Sequence, residues 1–207
     1  MSDREIFSEL EQGSAEWLAA RAGLITASNA GLLLVNGKRP DGLGAGALTY
    51  GYEIAGEILT GRPAPSFSNE HTERGYAREV DLRNEYELLT GNEVEQVGFV
   101  RRGRAGYSPD GLVDGGRRVI EIKDRLPKIA LQVMTGGDLS KDEVAQAQFG
   151  MWMMGAESCD FIVGSQGLPT MIRTLEPDTE MHALFEKRVA ALVEFIDGIV
   201  SKVKEAA

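Results

Sequence analysis

Cysteine is almost absent from the 207-residue chain: the one present, Cys159, has no partner for an internal disulfide and none for a thiolate metal cluster. It reads as a small buried apolar residue. Long apolar runs are missing as well, since none approaches the ~18 residues that a membrane-spanning helix needs. The start, Met1-Ser2-Asp3-Arg4-Glu5, lacks the basic-then-apolar layout of a secretory signal. A soluble cytoplasmic protein with no membrane partner is the expectation. Proline is scarce, with 7 residues against 25 Gly, and the 43% hydrophobic and 26% charged residues lie near the averages of folded proteins. That balance excludes disordered, collagen-like and disulfide-framework chains. The length predicts a single domain over residues 1–207 that can bury its own core.

Positive charge is the minority sign, 22 Lys and Arg against 32 Asp and Glu, for a net charge of −10. Taken alone, this argues against a general polyanion binder. The basic residues are unevenly placed, however: residues 62–128 hold 12 basic and 12 acidic side chains, whereas both flanks are acidic. A locally basic cleft in an acidic protein remains compatible with DNA, and acidic metal ligands would add to the negative count.

No repeat or long linker divides the chain. Ser14 suits the N-cap of a helix carrying Trp17, Leu18 and Arg21 and stopped by Gly23, and a further helix is expected from about Thr26 to Ser28. Residues 47–60 and 72–90 read as helices stopped by Gly61 and Gly91. The period then shifts toward two, with Val94, Val97, Phe99, Val119, Ile120 and Ile122 marking short strands separated by Gly103, Gly106 and Gly115-Gly116. A helix over about 142–154, strands over 160–164 and 170–175, and a long closing helix complete the pattern. In that last helix Phe185, Val189, Leu192, Ile196, Ile199 and Val203 recur at spacings of three and four. The order predicts an α/β fold with a central mixed β-sheet flanked by helices.

The richest chemistry runs from Tyr107-Ser108-Pro109-Asp110-Gly111 to Val119-Ile120-Glu121-Ile122-Lys123. In a strand Glu121 and Lys123 share a face while Ile122 points to the other. A hairpin that brings Asp110 beside Glu121 would set two carboxylates at one edge with an ammonium close by, and such a pair calls for a cation. All-oxygen ligands select Mg²⁺, with Mn²⁺ as a substitute, whereas zinc would want the His or Cys that this stretch lacks. Lys123 could orient or deprotonate an attacking water, which is the chemistry of phosphodiester hydrolysis.

Five stretches in order resemble the PD-(D/E)xK nucleases, and within them the phage lambda exonuclease or YqaJ-type viral recombinase group. They are Gly13 to Ser28, with its Trp17, Arg21, Gly23 and Thr26-Ala27-Ser28; Arg74-Gly75-Tyr76-Ala77-Arg78-Glu79; Ser108-Pro109-Asp110-Gly111-Leu112; Glu121-Ile122-Lys123; and Ala145-Gln146-Ala147-Gln148-Phe149-Gly150-Met151-Trp152. The resemblance implies a restriction-endonuclease-like (PD-(D/E)xK) core, with Asp110, Glu121 and the Ile122 carbonyl as metal ligands and Lys123 as the catalytic lysine. Glu79 would be a further acid able to serve a second metal, and Gln146 a glutamine at the site. Arg21, Ser28 and Ser108 match residues that hold a DNA 5′-phosphate, and Lys38 or Arg39 could add a phosphate contact.

Two positions depart from the group's pattern: Asp124, which reads as a solvated neighbour of Arg125, and Glu143, where the lambda enzyme has an aromatic. Neither removes a ligand or the lysine. The implied activity is a Mg²⁺-dependent 5′→3′ exonuclease on linear double-stranded DNA that leaves 3′ single-stranded overhangs for phage-type homologous recombination. The same resemblance implies a phage- or prophage-encoded protein in a bacterial host, a homotrimer around duplex DNA, and a single-strand annealing protein as partner. The rivals are a restriction-like endonuclease and a non-catalytic DNA-binding protein. An iron–sulfur nuclease of the same superfamily is excluded by the single cysteine.

Overall fold

Aromatic and β-branched residues set between glycine turns favour strands, and the computed structural model of the chain places Phe99, Val100, Val119, Ile120 and Ile122 in them. It describes residues 4–64 and 70–206, with the side chains of 70–77 outside that set. The chain runs β1 (Glu5–Phe7), α1 (Ala15–Arg21), β2 (Ile25–Thr26), a 3₁₀ turn (Ala27–Asn29), α2 (Ala30–Leu34), α3 (Ala45–Thr60) and α4 (Glu70–Thr90). The strands β3 (Phe99–Arg102), β4 (Ala105–Tyr107), β5 (Gly111–Val113) and β6 (Arg118–Asp124) follow, with a second 3₁₀ turn (Asp114–Gly116) between the last two. Then come α5 (Pro127–Met134), α6 (Lys141–Met154), β7 (Ser158–Gly164), β8 (Met171–Leu175) and α7 (Thr179–Glu205).

The strands form two four-stranded mixed sheets rather than the expected single one, in the orders β1-β3-β4-β2 and β5-β6-β7-β8. The ladder breaks after Tyr107, where Pro109 has no N–H to donate. In the second sheet β6 pairs antiparallel with β5 and parallel with β7. Its two faces are both covered. Ile120 and Ile122 pack with Leu82, Tyr86, Val113 and Ile162 under α4, while Val119 joins the larger core with Tyr107, Phe149 and Phe161. Cys159 lies buried in that core as a free thiol.

Several local expectations need correction. Val94 and Val97 stand outside the strands; only a bridge from Glu95 to Leu112 pairs there, and β3 begins at Phe99. Gly106 lies inside β4 rather than in a turn, paired with Arg101, and it is glycine for want of room: a Cβ there would sit 2.4 Å from the Phe99 ring. Thr26 and Ser28 do not cap the second helix: it opens as a 3₁₀ turn, and the Thr26 hydroxyl is bonded to Ser28 and Tyr50. The closing stripe ends before Val203, which is 47% exposed. Among the described residues no helix is long and apolar enough to cross a membrane.

α1 and α6 start where capping chemistry places them. Ser14 Oγ accepts from the Trp17 amide, and Ser140 with Glu143 forms a full capping box at α6. We expect Ser140→Ala to cost about 1 kcal/mol of stability in thermal or urea unfolding, and an unchanged midpoint would show that the box adds nothing to α6. The helix matters because it carries Gln146 and Gly150 onto the β6 face.

Candidate active site

Strand alternation places Glu121 and Lys123 together on the α6-facing side of β6. Glu121 is fully buried, and each of its oxygens is engaged: Tyr107 Oη donates to Oε1 at 2.9 Å, and Gln146 Nε2 donates to Oε2 at 2.9 Å. Lys123 Nζ lies 3.4 Å from Oε2. Asp110 sits just before β5, where Gly111 pairs with Ile120, so its carboxylate lies across from the unpaired end of β6. Its Oδ2 accepts the Ile122 amide at 2.6 Å. A strand residue sends its N–H and C=O toward the same neighbour, so the Ile122 carbonyl faces the Asp110 side as well.

Glu79 and Arg83 lie one turn apart on α4 and close the site from the other side. Arg83 Nη2 donates to Glu79 Oε1 at 2.5 Å, and its Nε donates to the Asp110 carbonyl at 2.9 Å. Of the stretch Arg74 to Glu79, the side chains of Arg74 to Ala77 lie outside the described residues. A cleft of about 550 Å³ opens onto Glu79, Arg83, Pro109 and Asp110. Gln12 braces its wall by donating to the Pro109 carbonyl at 2.9 Å.

Burial, with the Asp110 charge adding to it, pushes the Glu121 carboxyl up to about 7; Lys123 acts in the opposite sense. Glu79 is likewise pushed up to about 7 by burial and then by Asp110, against Arg83. Burial also raises Asp110, opposed by Lys123 and the Ile122 amide. Burial would lower Lys123, yet Glu121 and Asp110 hold it above its ordinary value. Three carboxylates therefore share one ammonium and one guanidinium, and the site is short of positive charge. The donors are all oxygen, which suits a hard divalent cation. Among the described residues no three His, Cys, Asp or Glu side chains converge on one metal point. A cation held here would rest on Asp110, Glu121 and the Ile122 carbonyl, with water completing its shell, as Mg²⁺ favours.

Arg21, the last residue of α1, donates from Nη1 to Ser108 Oγ at 3.0 Å and stacks 4.2 Å over the Trp17 ring. Trp17 Nε1 donates to the same Oγ at 3.0 Å. With both lone pairs taken, the Ser108 hydroxyl is left to donate, two residues from Asp110. Ser28 is placed on Thr26, 3.1 Å between hydroxyls. Thr26 and Arg21 share a cleft of about 240 Å³ with Asn29 and Tyr50.

Arg39 is engaged by Asp41 at 2.8 Å and lies over Phe195, while Lys38 is exposed. Asp124 is not merely a neighbour of Arg125: it lies 3.7 Å from Arg78. Glu143 caps α6 and pairs with Arg125. Gln148, the second glutamine of its motif, turns away from the site and accepts from the Asp178 amide at 2.8 Å. The sequence gives Tyr107 a place in the motif stretch but no role, and Arg83 neither. Arg83 could have been found from its i+4 spacing to Glu79.

Mixed sheets flanked by helices, with acids and a lysine meeting where β5 and β6 diverge, define a PD-(D/E)xK-like nuclease fold. Residues 16–157 match the YqaJ-like viral recombinase domain, and the chain belongs to that family. Its class is that of nucleases serving recombination. It is similar in structure to an alkaline exonuclease (LHK-Exo) from Laribacter hongkongensis, with 28% identity, a TM-score of 0.81, and coverage of 93% of this chain and 97% of that one. The same enzyme in complex with dAMP matches equally well. A phage-related exonuclease from Haemophilus somnus shares the fold at 14% identity and a TM-score of 0.70, over 87% of this chain and 96% of the other. No curated protein matches the chain.

Proposed function

We propose that this single-domain chain is a Mg²⁺-dependent 5′→3′ exonuclease that degrades one strand of linear duplex DNA and leaves a 3′ overhang for homologous recombination. The observation that carries the reading is the joining of two sites through one short segment. Ser108 takes hydrogen bonds from Arg21 and Trp17, and two residues later Asp110 binds the Ile122 amide beside Glu121 and Lys123. A terminal phosphate gripped by Arg21 and Ser108 would set the adjoining phosphodiester against the acids. A divalent cation on Asp110, Glu121 and the Ile122 carbonyl would acidify water and neutralise phosphoryl charge.

Lys123 orients the attacking water and offsets negative charge on the phosphate, while Gln146 holds Glu121 in place. Glu79, steadied by Arg83, supplies a further carboxylate on the cleft side. Ser28, through Thr26, extends the hydroxyl lining toward the phosphate. The complex of the Laribacter relative with dAMP supports a deoxynucleoside monophosphate as product. Mn²⁺ would substitute for Mg²⁺ in the all-oxygen donor set.

A homotrimeric ring around the duplex, acting with a single-strand annealing protein in the host-cell cytoplasm, fits this reading. The concentration of basic residues in 62–128 would keep positive charge on the inner surface. Light scattering tests the ring: a 22.5 kDa monomer that still digests long DNA without dissociating would refute it.

The reading is tested by digesting linear 5′-phosphorylated, linear 5′-hydroxyl and closed circular duplex in parallel. Only the linear forms are expected to be consumed, the phosphorylated one faster. Cutting of the circle would favour a restriction-like endonuclease, and binding without hydrolysis a non-catalytic DNA-binding protein. Arg21→Ala is expected to slow digestion of phosphorylated ends about 10-fold or more, the worth of a charge-assisted phosphate contact. Hydroxyl ends should be little affected, and equal losses on both ends would contradict the phosphate role.

A further inference from the structure

Tyr107 is fully buried in β4, yet its hydroxyl reaches the candidate active site, donating to Glu121 Oε1 at 2.9 Å. The ring fits only because α6 carries a glycine opposite it. A Cβ on Gly150 would lie 2.5 Å from Tyr107 Cζ and 2.8 Å from its Oη, closer than such atoms approach. Gly150 stands one turn after Gln146, whose amide holds the other Glu121 oxygen. One helix therefore supplies both the second brace and the room for the first. A phenylalanine would fill the same space and bury no polar atom, so packing alone gives no reason for the hydroxyl.

Resting on the proposed function, we infer that Tyr107 is a positioning residue: its hydroxyl, seated against Gly150, fixes the rotation of the Glu121 carboxylate so that this group presents a preset oxygen to a divalent cation. With Tyr107 on Oε1 and Gln146 with Lys123 on Oε2, the carboxylate cannot turn about its terminal bond without breaking a hydrogen bond. Partners behind a ligand orient it and raise affinity for the metal, and their loss typically costs about 10- to 100-fold. The Ile122 amide braces the Asp110 carboxylate in the same manner, while Arg83 holds the Asp110 backbone carbonyl.

The test is direct Mn²⁺ binding, followed by electron paramagnetic resonance of the free ion, to the full-length wild type and to Tyr107→Phe and Gly150→Ala, with unfolding midpoints measured metal-free. Tyr107→Phe is expected to weaken Mn²⁺ binding about 10-fold while the metal-free protein stays folded, its midpoint lowered only by the loss of one buried hydrogen bond. Digestion should need correspondingly more Mg²⁺ for half-maximal rate, with KM for DNA ends unchanged. Gly150→Ala, which displaces the ring and keeps the hydroxyl, should weaken Mn²⁺ binding too. Wild-type affinity in Tyr107→Phe would overturn the inference while leaving the proposed site intact. Failure of the wild type itself to bind Mn²⁺ would overturn the site and the inference together.

Discussion

Lys123→Ala is expected to lower digestion of linear duplex by at least about a thousand-fold, because ammonium, carboxylates and water act as one unit and removing one member forfeits most of the catalysis. Asp110→Ala and Glu121→Ala should fall as far. Lys123 Nζ lies 3.4 Å from Glu121 Oε2, and both Glu121 and Asp110 hold its charge in place. The three variants should differ in binding. Lys123→Ala leaves the oxygen donors and the Arg21–Ser108 pair untouched, so it should still bind DNA ends, whereas the acid variants should also lose their response to metal. Turnover of Lys123→Ala within about tenfold of wild type at saturating Mg²⁺ would remove the lysine from the mechanism.

Glu121→Gln is expected to stabilise the metal-free protein at pH 8 while abolishing its activity. The direction follows from linkage. Glu121 is pushed from 4.5 to about 7 by burial. Below about 4.5 the carboxyl is protonated in both the folded and unfolded chain, and the site costs nothing. As pH rises from there to about 7, the unfolded chain ionises first, so stability falls; above about 7 the loss is complete. Glu79 contributes in the same sense.

The metal-free wild type should therefore lose stability between pH 5 and pH 8, on the order of a few kcal/mol, and Glu121→Gln should recover part of it. Lys123 keeps Asp110 as a counter-charge in that variant. Metal reverses the trend, since it needs the ionised carboxylates: Mg²⁺ should raise the wild-type midpoint more at pH 8 than at pH 6. Thermal scans with and without Mg²⁺ at both pH values check this. A larger metal effect at pH 6 would contradict the assignment of these carboxylates to the cation.

The parts of this site legible in the sequence were those whose chemistry is local. Glu-x-Lys in a β-prone run gives a shared face without further information, and Pro-Asp-Gly eleven residues upstream gives the hairpin acid. Both are observed, with Asp110 bonded to Ile122 across the strand end. The helices α1, α3 and α4 were legible because a capping serine or glycine stops mark them, and Gly61 and Gly91 do adopt left-handed backbone, whereas α7 was legible from its apolar stripe. The two-residue β2 and the three-residue β1 carry no period to detect, and they exist only as partners of β4 and β3.

Pro127 at the first position of α5 is the one local mark of that helix in the sequence, since proline fits the first turn, where its missing N–H costs nothing. Tyr107 could not be read from sequence. Nothing in Ala105-Gly106-Tyr107 separates a core tyrosine from one that braces a carboxylate, and the distinction appears only when α6 brings Gly150 and Gln146 to the same place. The split into two sheets was hidden for a similar reason, since it depends on how the chain turns through Ser108 to Asp110.

Asp110 just before β5, with Glu121 and Lys123 on β6, is proposed to hydrolyse DNA from a 5′ end. This is tested most directly by linear duplex labelled at the 5′ end of one strand and the 3′ end of the same strand in separate preparations, incubated with Mg²⁺ and resolved on a denaturing gel. The 5′ label should be released first as a mononucleotide, the 3′ label should pass through progressively shorter strands, and neither should happen with chelator or with Lys123→Ala. Early release of the 3′ label as a mononucleotide, or internal fragments with both ends intact, would contradict it.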